Sequence, residues 1–169
     1  MSCIKALLII AIIACACRLN AQEWYPLHSG EGKFQIDFPG EPHTLNEEEK
    51  HGNLKHDVLI YRFDNKEKMS SYFAAVTFYG EEIIDSMKLI REKADDFPSR
   101  WSGELIAIFE ISNRGIPGYE VEIKINPVIV MRARIFYKNA KLYELVVTAP
   151  NERIHTPNVD IFFDSLNIK

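Results

Sequence analysis

The chain has 169 residues, 20 basic against 24 acidic side chains for a net charge of −4, and three cysteines, Cys3, Cys15 and Cys17. An acidic surplus argues against nucleic acid and anionic membranes as partners. Because no cysteine follows position 17, disulfides, thiolate nucleophiles and Cys-ligated zinc are excluded together for the rest of the chain.

Met1 to Lys5 carries one positive charge, and Ala6 to Cys17 is an unbroken apolar run, short for a spanning helix and normal for the core of a secretory signal. Ala21 places a small residue before Gln22. Residues 1–21 are therefore expected to be a cleaved signal peptide, with the working chain starting at Gln22 in a periplasmic or secreted location. Ile12-Ile13-Ala14-Cys15 resembles a bacterial lipobox, and the alternative is a lipid anchor on Cys15 and a membrane-anchored lipoprotein. No second long apolar stretch follows, so no transmembrane segment is expected in the mature chain. Removing residues 1–21 takes away Lys5 and Arg18 and leaves 18 basic against 24 acidic residues, a net of −6. What remains is about the size of one domain, residues 22–169, large enough to be held by its core alone.

Trp24-Tyr25 is either an interaction anchor or a staple on a sheet edge. Lys33 to Phe38 alternates polar and apolar residues and predicts a first strand with Phe34, Ile36 and Phe38 inward, ended by Pro39-Gly40-Glu41-Pro42. Glu47 to His56 is polar and predicts a mobile turn. Val58 to Phe63 and Tyr72 to Tyr79 are rich in aromatic and β-branched residues and predict two strands around the charged turn Asp64 to Lys68. The period then changes: Ile84, Met87, Ile90, Ala94, Phe97 and Trp101 recur at three- and four-residue steps, with Asp85, Lys88, Arg91, Glu92 and Asp95 opposite. This spacing predicts an amphipathic helix of about 15 residues lying on a sheet, with Pro98 near its end.

Leu105 to Ile111, Tyr119 to Ile125, Ile129 to Tyr137 and Leu142 to Ala149 predict four more strands. Side-chain parity turns Val121, Ile123 and Ile125 inward on one strand and Ile129, Met131, Ala133 and Ile135 on the next, around the loop Asn126-Pro127-Val128. The same register sets Glu122 against Arg132 and Glu120 against Arg134 on an outer, solvated face, where each pair contributes about 0.2–1 kcal/mol. Tyr143, Leu145, Val147 and Ala149 are expected to continue the inward face after a turn near Asn139-Ala140, and Pro157 to start a short helix through Ile161, Phe162 and Leu166.

Few residues carry chemistry in this pattern. His51 and His56 stand five apart with Gly52 between them and without a third fixed ligand, so no metal site is expected. His28, His43 and His155 are isolated beside turns, and neighbouring Asp95 and Asp96 diverge by about 100° on a helix, too far to share a substrate proton. Gly115-Ile116-Pro117-Gly118 lacks the phosphate-binding glycine patterns and reads as a tight turn. Arg132 and Arg134 point the same way and are the candidate contacts for an anionic ligand or partner, together with Trp24 and Tyr25. No cofactor and no catalytic residue are expected.

Four segments, Gly32-Lys33-Phe34-Gln35-Ile36-Asp37-Phe38-Pro39-Gly40-Glu41-Pro42, Gly115-Ile116-Pro117-Gly118-Tyr119-Glu120, Leu142-Tyr143-Glu144-Leu145 and Phe162-Phe163-Asp164-Ser165-Leu166, resemble the PsbP-like family, exported proteins related to the extrinsic photosystem II subunit PsbP. The resemblance implies an α+β fold, a mostly antiparallel sheet of six to seven strands packed between helices as an α/β/α sandwich. The resemblance implies little about activity; taken with the absence of a catalytic set, it leads to the expectation of an exported, non-enzymatic binding or accessory protein that stabilises an envelope complex through a protein partner. A small-ligand carrier and an enzyme with an unrecognised site are the alternatives.

Overall fold

The computed structural model describes residues 24–51 and 54–169. The segment 1–21 expected as a signal peptide, the cleavage expected after Ala21 and the alternative lipid anchor on Cys15 lie outside the described residues. The strands β1 (Tyr25–Ser29), β2 (Phe34–Phe38), β3 (His43–His51), β4 (Leu54–Asn65) and β5 (Ser70–Phe78) come first, followed by helix α1 (Ser86–Arg100). Then come β6 (Glu104–Asn113), β7 (Ile116–Lys124), β8 (Ile129–Lys138), β9 (Lys141–Pro150), helix α2 (Pro157–Asp164) and the short β10 (Asn167–Ile168). Seven strands form one antiparallel sheet in the order β3-β4-β5-β9-β8-β7-β6, and β1-β2-β10 form a second, smaller one. The α+β class expected from the sequence is the one observed.

Strand β2 keeps Phe34, Ile36 and Phe38 inward, each almost fully buried, and β1, which the sequence pattern did not single out, pairs along its length. The β7–β8 hairpin has the expected register, with Glu120 opposite Arg134 and Glu122 opposite Arg132. Its loop is closed by Asn126, whose side-chain oxygen accepts from the N–H groups of Val128 and Ile129 at 2.9 and 2.8 Å. The β8–β9 turn at Asn139-Ala140 has both residues at positive φ, the twist that two-residue hairpin turns demand. Gly115 supplies positive φ to the β6–β7 turn (φ 82°), whereas Gly118 lies within β7, where an added Cβ would press on the Phe136 ring and the Ile135 carbonyl.

Four expectations are corrected. The segment Glu47 to His56, expected as a turn, is mostly strand: β3 and β4 pair Glu47 with Val58, Glu48 with Asp57 and Glu49 with His56. An edge strand has one side of its backbone open to solvent and tolerates charge where a central strand does not, so the polar run concealed the strand. Tyr143, Leu145, Val147 and Ala149 do not continue the face of Met131 and Ala133. Pairing sets Leu145 against Arg134 and Val147 against Arg132, and all four pack with Phe34, Phe38 and Phe162 on the opposite side of the sheet. Strand β9 is central and buried on both faces, so Leu142 and Val146 on one parity and Tyr143, Leu145 and Val147 on the other are all apolar and alternation loses its meaning.

The third correction concerns α1. Ile90, Ala94 and Phe97 are buried, joined by Lys93, while Ile84 precedes the helix and is fully exposed, and Met87 and Trp101 are more than a third exposed. The helix starts only at Ser86, because Asp85 caps it by accepting from the Lys88 N–H at 3.0 Å. It ends at Trp101, after which Ser102 takes a left-handed turn (φ 53°) and the Gly103 N–H reaches the Pro98 carbonyl at 2.8 Å. Two large apolar side chains thus anchor α1, each contributing about 1.5–3 kcal/mol on full burial. Asp85→Ala should remove the cap and lower stability by about 1 kcal/mol in a urea melt, with the fold retained.

Fourth, the face of the β7–β8 hairpin that carries the charges is not solvated. Helix α2 lies across it with Val159, Phe162 and Phe163 buried, and Arg132 is only 6% exposed.

Candidate functional site

Helix α1 packs chiefly on β7 and β8. A helix about 10 Å wide spans about two strands spaced about 4.8 Å apart, so a single helix leaves much of a seven-stranded face bare. On the other face α2 and the β1-β2-β10 sheet share the cover. The α1 side therefore has a groove of about 390 Å³ between α1 and the uncovered strands β3, β4 and β5.

Pleating builds its floor. Cross-strand partners Ile60 and Ala75 lie on one side of the sheet with Val58, Phe73 and Val146. Phe97, Arg100 and Trp101 from the last turn of α1 form one wall, and Leu45 and Glu47 to Glu49 of β3 form the opposite rim. The Trp101 ring meets those of Phe73 and Phe97 at 6.4 and 6.1 Å, and the Arg62 guanidinium lies 5.0 Å over the Phe73 ring.

The charges at the inner end of the groove are held in pairs. Arg100 donates to Glu144 at 2.5 Å, linking α1 to β9, and Lys93 donates to Glu49 at 2.8 Å, linking α1 to β3. Close to these carboxylates, the Tyr79 hydroxyl is buried without a hydrogen-bond partner among the described residues. Burial, with the negative charges of Glu49 and Glu144 adding to it, pushes that hydroxyl up to about 12. The His56 ring packs at 4.6 Å from that of Tyr79 and its Nδ1 donates to the Phe78 carbonyl at 3.2 Å. The channel is apolar and aromatic-walled with charges at its margins, those of Arg100 and Lys93 paired and that of Glu47 exposed, which is the chemistry of binding clefts in general.

None of the residues singled out in the sequence lines this groove. Arg132 and Arg134 lie under α2 on the opposite face. Arg132 donates to Glu120 at 3.2 and 2.9 Å, to the Ile154 carbonyl and to Asp160, and Arg134 donates to Glu120 at 2.6 Å and Asp164 at 2.7 Å. Trp24 packs against the core beside β1, and Tyr25 at the start of β1 is half exposed. His155 stands 3.2 Å from Glu122, and among the described residues no three His, Cys, Asp or Glu side chains are grouped to hold a metal. The residues that do line the groove left one signal in the sequence: Val58-Ile60 and Phe73-Ala75 make a second face apolar on strands for which only one long helix is available as cover.

No family model matches the chain, and no curated protein matches it. Among solved structures, it is similar to the solution structure of cyanobacterial PsbP (CyanoP) from Synechocystis sp. PCC 6803, at 11% identity and a TM-score of 0.58 over 89% of this chain and 95% of that one. At so low an identity the likeness concerns the backbone, and over nearly the full length of both chains it shows that this protein has a PsbP-like α+β fold.

Proposed function

We propose that this chain is an exported, non-enzymatic binding or accessory protein, and that the groove between α1 and strands β3 to β5 holds its partner. The observation that carries this reading is the apolar floor itself: Val58, Ile60 and Ala75 are only partly buried and lie with buried Val146 beside an exposed tryptophan instead of under a second helix. Export rests on the signal-like residues 1–21, and the accessory role accords with what the PsbP-like resemblance implies.

Ala75→Trp would fill the floor between its cross-strand neighbours Ile60 and Glu144 while keeping every charged side chain of the margin. Protein recovered from the native envelope after crosslinking should lose its bound partner in this variant, with the melting temperature held within a few degrees. The same partner retained at the same yield would place binding elsewhere on the surface. A second reading, a small-ligand carrier, is favoured by the groove volume, which lies in the range of small-molecule sites. A stoichiometric small molecule extracted from the native protein, and absent from the Ala75→Trp variant, would establish it in place of a protein partner.

A further inference from the structure

We infer that the partner contributes an extended segment with alternating apolar and basic side chains, added as a further strand along the outer edge of β3, where its side chains continue the rim of the groove. This rests on the groove reading and specifies its ligand.

Strand β3 is the terminal strand of the seven-stranded sheet, and among the described residues no strand pairs with its outer side. Its nine residues present backbone N–H and C=O groups along the rim of the groove, the arrangement by which extended peptides add to sheet edges. Pairing with β4 shows which side chains face the groove: Leu45 lies beside Ile60, Glu47 beside Val58 and Glu49 beside His56. A strand laid along β3 therefore meets an exposed leucine and then carboxylates on one face. An apolar side chain suits the first position and a cation the second, since opposite charges directly across strands attract and like charges repel.

Charge also selects among partners. Glu48 is paired with Lys55 at 2.8 Å and Glu49 with Lys93 at 2.8 Å, while Glu47 is exposed on the groove side. A second copy of the chain is a poor occupant. Antiparallel pairing of two β3 strands about Glu47-Glu48-Glu49 would set carboxylate against carboxylate. The other sheet edge, β6, offers Glu104 and Glu110 and no basic residue. The edge that repels another copy attracts a basic segment, which is how one charged run gives both specificity and protection from self-association.

The test uses the full mature chain and a fluorescein-labelled peptide alternating Lys with Val and Leu, read by polarisation. The Lys peptide is expected to bind at least about tenfold more tightly than the same peptide with Glu for Lys, an advantage that shrinks as salt is raised. Glu47→Lys should reverse that preference. N-methylation of alternate residues should weaken binding about tenfold on one peptide edge and leave it unchanged on the other, as strand addition requires. Equal affinity for the Lys and Glu peptides would overturn the basic partner, and insensitivity to N-methylation on both edges would overturn strand addition. Ala75 on β5 lies about three strand spacings, or about 14 Å, from the added strand, so Ala75→Trp should leave the Lys peptide's affinity within about twofold while it tests the groove in the crosslinking experiment. A loss of about tenfold would place the peptide on the groove floor and overturn edge addition.

Discussion

Glu120→Gln should destabilise the protein by about 3–5 kcal/mol, the cost of leaving buried charge without its partner. Glu120 accepts from both Arg132 and Arg134, and those arginines reach on to Asp160 and Asp164, one turn apart on α2. The Phe163 ring lies 5.3 and 4.8 Å from the two guanidinium groups. The network fastens α2 to the β7–β8 hairpin, and Gln keeps the shape while removing the charge at its centre. Desolvation pushes the Glu120 carboxyl up, but hydrogen bonds and charge from Arg134 and Arg132 outweigh it and hold the group below its ordinary 4.5. Because the folded state holds the carboxyl below its unfolded value, the network stabilises fully above about pH 4.5 and loses that contribution as pH falls through the folded value. Thermal melts from about pH 3 to pH 7 should show a steep acid limb in the wild type and a flatter one in the variant. A loss under about 1 kcal/mol would mean the hairpin charges are solvated after all.

The second large effect distinguishes two aromatic residues four positions apart. Phe97 is 1% exposed and Trp101 38% exposed, so Phe97→Ala should cost about 3–5 kcal/mol, whereas Trp101→Ala removes a partly wetted ring and should cost about 1–2 kcal/mol. Periodicity assigned both to the buried stripe. The difference arises because Trp101 caps the helix end beyond the strands that α1 covers, where it becomes a wall of the groove. Urea melts rank the two for stability, and crosslinking in the native envelope should show the Trp101→Ala protein, still folded, with less of its partner. Equal destabilisation by both would move Trp101 into the core and remove that wall.

Much of this fold was legible in local pattern. The alternation in β2, the parity of β7 and β8 with the polar loop between them, and the start of α2 at Pro157 all depend on residues close in the chain, whose geometry is set by pleat, turn and helix period. The strands β3 and β1 were not legible, because edge strands need no apolar alternation. The face of β9 was misread because a central strand is apolar on both sides.

Residue order alone therefore determined the secondary elements other than β1, β3 and β10, the hairpin register and the pairing of Glu120 and Glu122 with Arg134 and Arg132. It did not decide which face each helix covers. That choice buried Arg132 under α2 and left Ile60 and Ala75 only partly covered beside α1. It depends on the width of the helices relative to the sheet and on contacts between segments far apart in the chain, which no local period records.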